Sequence, residues 1–221
     1  MFRKILRYIK KIKKNYEGFS SAIYWEARNK NGGNSGYGSY GRLAEFKANT
    51  INKIISNYKI RSIVDLGCGD GNQLSLLVIK KYTGTDISSS AVKKCSQKFT
   101  NDKNKQFFTW DYFKTTEIIA DASMSLDVIF HLVEDEVFEI YMKQLFKSSN
   151  KYCIIYSSND ETLFDEAVHV RHRKFTEWIV RNEMDWTLID EIPNKYPHDG
   201  TKNSKDTSFS NFYVYKFKNI N

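Results

Sequence analysis

Three glycines, Gly67, Gly69 and Gly71, alternate with other residues in "VDLGCGDGNQ" (64–73), directly after a short apolar run. Glycine lets a backbone turn sharply and approach a ligand closely. Asp86 stands late in the next such run, "KYTGTDIS" (81–88), where an acid can accept hydrogen bonds from both hydroxyls of a ribose. Loop and acid together predict a site for an adenosine-type cofactor. The loop is not a dinucleotide fingerprint, because its third glycine comes one residue early for G-x-G-x-x-G. Asp65 and Asp70 flank it; those charges suit a pyrophosphate poorly and a ligand bearing an ammonium and a sulfonium well. No Walker lysine follows.

Further along, Asp111 and Tyr112 follow the apolar run "KQFFTWD" (105–111), and His131 and Glu134 belong to "SLDVIFHLVED" (125–135). A histidine titrates near neutrality and can take a proton from an acceptor hydroxyl; the alternative is a histidine hydrogen-bonded in a strand-to-helix corner. In "HVRHRKFTEW" (169–178), Arg171 and Arg173 interleave with His169 and His172. Arginine forks suit a phosphate or carboxylate on an acceptor, and the alternative is a solvated helix face. No third ligand for a metal is evident beside the two histidines, so no metal is expected.

These residues need elements to position them. "RSIVDLG" (61–67), "KYTGTDIS" (81–88), "KQFFTWD" (105–111), "SLDVIFHLV" (125–133) and "KYCIIYSS" (151–158) read as buried strands. "NQLSLLVI" (72–79), "SSAVKKCSQKF" (89–99) and "EDEVFEIYMKQLF" (134–146) read as helices between them. Strands alternating with helices imply an α/β fold, a parallel sheet with helices on both faces. In such sheets ligands bind beyond the carboxyl ends of the strands, and the three glycines, Asp86, Asp111, Tyr112, His131 and Glu134 all lie at the ends of the apolar runs or just after them.

The chain of 221 residues is long enough for one domain with a real core, and no apolar run is long enough for a spanning helix. Three scattered cysteines, Cys68, Cys95 and Cys153, suit a reducing cytoplasm without a disulfide framework. The net charge of +8 belongs to one segment: residues 1–16 hold seven Lys or Arg and no acid, which leaves 27 basic against 26 acidic residues elsewhere. A neutral body argues against a nucleic-acid partner. Phe2, Ile5, Leu6, Ile9, Ile12 and Tyr16 recur at the helical period within that basic segment. It reads either as an interfacial helix drawn to anionic lipid at the inner face of a membrane, or as a helix packing its apolar stripe on the domain. The expected organisation is therefore an amphipathic helix over 1–16 and a single domain over 17–221.

The glycine loop resembles the first motif of class I S-adenosylmethionine-dependent methyltransferases; "GTDIS" resembles their second, and "WDYF" and "SLDVIFHLVED" the segments after their third and fourth strands. The motifs cover roughly residues 60–160. The resemblance implies a Rossmann-like, seven-stranded, mostly parallel sheet, with "WTLIDEI" (186–192) and "SNFYVYKF" (210–217) as the sixth and the antiparallel seventh strand. It implies S-adenosyl-L-methionine as cofactor, with Asp65, Gly67 and Gly69 at the methionine part, Asp86 on the ribose with Ile87 after it, and Asp111 and Tyr112 by the adenine. His131 would face the transferable methyl group. The fourth-strand segment lacks an Asn-Pro-Pro-Tyr type sequence, which argues against amino methylation of nucleobases. Residues 24–51, rich in Gly, Ser, Asn and Tyr, read as a lid (20–50) offering Tyr24, Tyr40 and Arg42 to an acceptor, beside His169, Arg171, His172 and Arg173. This stretch is similar to methyltransferases of bacterial surface-polysaccharide clusters, including enzymes tied to O-methyl phosphoramidate decoration of capsules. The expectation is O-methylation of a small or saccharide-linked acceptor. An RNA methyltransferase and a non-catalytic binding protein on the same fold are the alternatives.

Overall fold

The computed structural model describes residues 18–163, 167–198 and 205–218. The basic segment over 1–16 lies outside the described residues. Seven strands form one sheet: β1 (Ser62–Leu66), β2 (Lys81–Asp86), β3 (Lys105–Thr109), β4 (Ala120–Leu126), β5 (Ser149–Ser157), β6 (Trp186–Ile192) and β7 (Asn211–Phe217), in the order β3-β2-β1-β4-β5-β7-β6. The first five pair in parallel, and β7 runs antiparallel between β5 and β6. This is the expected seven-stranded Rossmann-like architecture.

Period-two alternation splits each central strand between two cores. Ile63, Met124, Ile154 and Val214 face a cluster with Ile51, Ile54 and Cys95, which belong to helices α2 (Gly41–Asn57) and α3 (Ser89–Lys98). Val64, Leu66, Cys153 and Tyr213 face the other cluster, with Phe113 of the short α4 (Trp110–Phe113), Met142, Leu145 and Phe146 of α5 (Asp135–Lys147), and Phe175 and Ile179 of α6 (Phe175–Asn182). All three cysteines are free and buried. From β1 the chain crosses to β2 on one side, and β4 lies on the other. The crevice at that reversal is where ligands bind in open α/β sheets.

Three local expectations are corrected. Residues 72–79 are not a helix but a single 3-10 turn, Leu74–Leu76. Asn52 of α2 reaches across and takes both the Leu76 carbonyl and the Val78 amide (3.1 and 2.8 Å), which leaves Val78 in extended chain and largely exposed. The fourth strand is Ala120–Leu126, upstream of most of "SLDVIFHLV", and Ile129–His131 is a 3-10 turn. The strand stops where Asp127 adopts φ +57°. Its Ala and Ser residues hide it: Ser123 and Ser125 are fully buried because Ser149 and Tyr141 satisfy their hydroxyls. Residues 169–174 are an irregular segment rather than part of a helix, and α6 begins only at Phe175.

The segment expected to be an acceptor lid contains a helix, α1 (Ser21–Lys30), a 3-10 turn at Tyr37–Ser39, and the start of α2. Ser20 caps α1 by accepting from the Ile23 amide (3.4 Å). Leu43 and Ile51 of α2 are buried, and Phe46 packs at the margin of the same core.

Candidate active site

A cavity of about 810 Å³ opens at the carboxyl ends of β1, β2 and β4, roofed by α1 and the turn that follows it. Its lining includes Asp65, Gly67, Gly69, Asp86, Ile87, Asp111, His131 and His169. The loop after β1 brings its backbone up to the cavity, with Cys68 and Asp70 lining it as well. Gly67 and Gly69 sit at φ +96° and +58°, a region L residues rarely adopt. A Cβ at Gly67 would lie 2.4 Å from Val128 Cγ2, and one at Gly69 2.2 Å from Ser35 Oγ. Asp86 ties this loop to the end of β2: its Oδ2 accepts from the Gly69 amide, while its Oδ1 accepts from the Ser88 amide two residues on, each at 2.9 Å. Burial pushes the Asp86 carboxyl above the usual range, with the two amide bonds opposing it. Each oxygen keeps a second lone pair for a ligand hydroxyl.

Asp65 is buried at the floor. Tyr82 donates to its Oδ2 (2.6 Å), and its Oδ1 has no hydrogen-bond partner among the described residues. Burial pushes its carboxyl up to about 7. A cationic ligand group would favour its ionised form. Glycine cradle, hydroxyl-accepting Asp86, acidic Asp65 and Asp70, and the apolar Ile87 and Trp110 together fit a nucleoside carrying an ammonium and a sulfonium. The volume leaves space for a second small molecule.

At the other side of β1 the wall is aromatic. His131 stacks on His169 (centroids 5.4 Å apart), Trp25 sets its edge against both, and Tyr24 stacks behind His169 at 4.5 Å. His131 Nδ1 lies 2.9 Å from the His169 carbonyl. A carbonyl only accepts, so Nδ1 carries the proton and Nε2 is left as a bare acceptor. Burial lowers the His131 pKa to about 4, so the ring is neutral at physiological pH.

The remaining expected residues divide. Asp111 lines the cavity, but its carboxylate is exposed and paired with Lys114 at 2.8 Å. Tyr112 does not line it: the ring is 57% exposed and stacks on Phe108, and Trp110 stands on the wall instead. Tyr24 lies one ring behind the wall. Tyr40 donates to Asp70 (2.6 Å) and Arg42 to the Asp206 carbonyl (2.8 Å), so neither faces the cavity. The arginines are engaged within the protein. Arg173 is spent on the Leu132 and Val133 carbonyls and on Asp135, over the Phe138 ring, and Arg171 on the Val133 carbonyl and the same Asp135. His172 Nδ1 pairs with Ser158 Oγ at 2.6 Å, away from His169. Among the described residues no group of His, Cys, Asp and Glu is arranged to hold a metal. Arg173→Ala should therefore act on folding, costing about 1–3 kcal/mol in urea denaturation while the KM for an acceptor stays put; a raised KM with unchanged stability would restore the arginine to the site.

The segment over the cavity is fastened on three sides. The Ser21 amide donates to Glu134 (2.9 Å). Glu26 accepts from Ser88 Oγ and Ser90 Oγ (both 2.7 Å) and from the Ser90 amide (3.2 Å), and the Ser90 and Ser88 hydroxyls draw its carboxyl down to about 2. The Ser35 amide and Tyr40 hydroxyl both donate to Asp70.

One pair escaped sequence reasoning altogether. Lys47 of α2, its side chain 1% exposed, donates to Asp127 Oδ2 at 2.7 Å, and both residues line the cavity. The lysine reads as an ordinary solvated one in "GRLAEFKANT", and its partner is 80 residues away.

Residues 64–145, from within β1 almost to the end of α5, match a family model described as a methyltransferase domain. Among solved structures, the methyltransferase domain of bacterial CtHen1-C is 20% identical with a TM-score of 0.63, covering 80% of this chain and 99% of that one. The N-methyltransferase NodS from Bradyrhizobium japonicum WM9, in complex with S-adenosyl-L-homocysteine, is 13% identical with a TM-score of 0.62, over 80% of this chain and 86% of that one. Magnesium protoporphyrin IX methyltransferase from Synechocystis PCC 6803 is 15% identical with a TM-score of 0.58, over 78% and 83%. At these identities the likenesses establish the fold. No curated protein matches the sequence.

Proposed function

We infer that this chain is a class I S-adenosylmethionine-dependent methyltransferase that methylates an oxygen of a small or saccharide-linked acceptor. One observation carries the reading: a single cavity joins the glycine cradle and Asp86 to His131, whose Nε2 is free to accept a proton. The methyltransferase-domain match and the fold support it.

When bound, S-adenosylmethionine supplies an electrophilic methyl group on a sulfonium. Gly67 and Gly69 would hold the methionine part, Asp86 the ribose hydroxyls, and Ile87 and Trp110 would flank the adenine. The lid and the aromatic wall exclude water and align the acceptor hydroxyl for in-line attack. His131 Nε2 would take the proton of the acceptor hydroxyl whose oxygen gains the methyl group. A base with a pKa of about 4 suffices, because the proton becomes strongly acidic once the oxygen carries the methyl group.

The likeness of residues 24–51 to surface-polysaccharide cluster enzymes supports a capsule-type acceptor, the phosphoramidate group among the candidates. The acceptor classes are separated by incubating the full chain with methyl-labelled S-adenosylmethionine and a panel of methyl hexosides, hexose phosphates, a phosphoramidate-bearing hexose and an RNA oligonucleotide, after calorimetry with S-adenosylhomocysteine. Binding of the cofactor product and label in a saccharide are expected. Transfer to RNA alone would replace the acceptor class, and no binding of the cofactor product would remove the reading.

A further inference from the structure

We propose that Lys47 and Asp127 form a donor–acceptor clamp for a neutral, hydroxyl-bearing acceptor ring, a specificity device in the cavity whose methyl-transfer role is inferred above. Burying an ammonium is costly unless it is paired and hydrogen-bonded. Lys47 is nonetheless almost fully buried, and among the described residues its Nζ has one hydrogen-bond acceptor, Asp127 Oδ2, together with the Tyr156 ring at 5.3 Å. An ammonium has three N–H donors, so donor capacity remains beside the cavity.

Asp127 is held as firmly. Its φ of +57° is rare for a residue with a Cβ, and such strain persists only where the surroundings impose it. Here the Asp127 amide donates to the Tyr156 carbonyl (2.8 Å), and its carboxylate accepts from Lys47 and from Ser210 Oγ (3.0 Å). The lid backbone comes down on the same group: a Cβ at Gly38 would lie 2.8 Å from Asp127 Oδ2. Asp127 follows β4 and Asp86 follows β2, with β1 between them, so the clamp stands apart from the ribose-binding end.

The charges of the pair cancel, so it offers an anionic acceptor little net attraction. A hydroxyl both donates and accepts, and neighbouring hydroxyls of a saccharide ring can satisfy a carboxylate and an ammonium at once. Trp25 lines the same cavity and adds aromatic surface for such a ring.

The test is saturation-transfer NMR on the full chain, with and without S-adenosylhomocysteine. The probes are the methyl α-glycosides of glucose, galactose and mannose, with glucose 6-phosphate and glucuronate as charged counterparts. At least one neutral glycoside should bind, and Lys47→Met should weaken it about tenfold or more. Lys47→Met leaves Asp127 without its counter-charge and can destabilise the fold. The double variant Lys47→Met/Asp127→Asn restores neutrality and should lose the glycoside equally. Affinity for S-adenosylhomocysteine, read by calorimetry, should stay within about threefold in the double variant, since uncoupled sites are nearly additive. Four outcomes overturn the clamp: no glycoside signal, preference for the phosphate or uronate, full binding by the folded double variant, or loss of cofactor-product affinity on the same scale. Glycoside binding that depends on Lys47 in a wild type unable to bind S-adenosylhomocysteine would keep the clamp and remove the methyltransferase reading.

Discussion

Asp86→Ala should all but abolish cofactor binding while the chain still folds. The carboxylate has two duties: it accepts from the Gly69 amide of the glycine loop and from the Ser88 amide before α3, which holds the loop against the end of β2, and it keeps lone pairs for ribose hydroxyls. Hydrogen bonds to a charged group contribute about 1.5–3 kcal/mol each, so losing a ribose pair weakens binding by roughly two orders of magnitude or more. Slackening of the loop adds to this. Asp86→Asn separates the duties: its single side-chain oxygen can keep only one of the two amide bonds, and its NH2 group cannot accept from a hydroxyl. Calorimetry with S-adenosylhomocysteine on wild type, Asp86→Asn and Asp86→Ala should give affinities falling in that order, with circular dichroism confirming the fold. Equal affinities would take Asp86 out of the site.

His131→Ala should leave that affinity nearly intact and lower turnover by about 10²–10⁴, the usual range for a lost general base. The pH profile distinguishes the base from a packing role. Burial lowers the His131 pKa to about 4, so the folded ring is neutral from above that value upward, and the acid limb of turnover should fall near pH 4 rather than near 6.5. The same shift destabilises the fold in acid: the unfolded histidine takes a proton as pH drops through about 6.5, and the folded one resists until about 4, so stability falls across that interval. His131→Gln should flatten this stability loss. An unchanged rate in His131→Ala with the true acceptor would reduce the residue to a partner of His169.

Much of this was legible in the residue order, and the rest was hidden for identifiable reasons. The glycine loop, Asp86 and the Ile/Val-rich strands are local signals, and local signals carried the fold and the cofactor end. β4 was displaced because it is built of Ala and Ser, whose burial depends on Ser149 and Tyr141 lying opposite. Arg171 and Arg173 have the chemistry to hold an anion, yet the bare carbonyls of Leu132 and Val133 at the turn before α5 claim them first. Lys47 carried the reverse illusion. Nothing near it in the chain marks it as buried; only the folding of Asp127 against α2 does so.

Polar bonds and ring contacts together fasten the segment over the cavity: Tyr24 packs on His169 and Trp25 on His131. Ser21 to Glu134, Glu26 to the serines before and within α3, and Ser35 and Tyr40 to Asp70 are all polar bonds that water can replace one for one. Those polar bonds can be exchanged with water, whereas parting the rings exposes apolar surface, so the aromatic contacts resist opening.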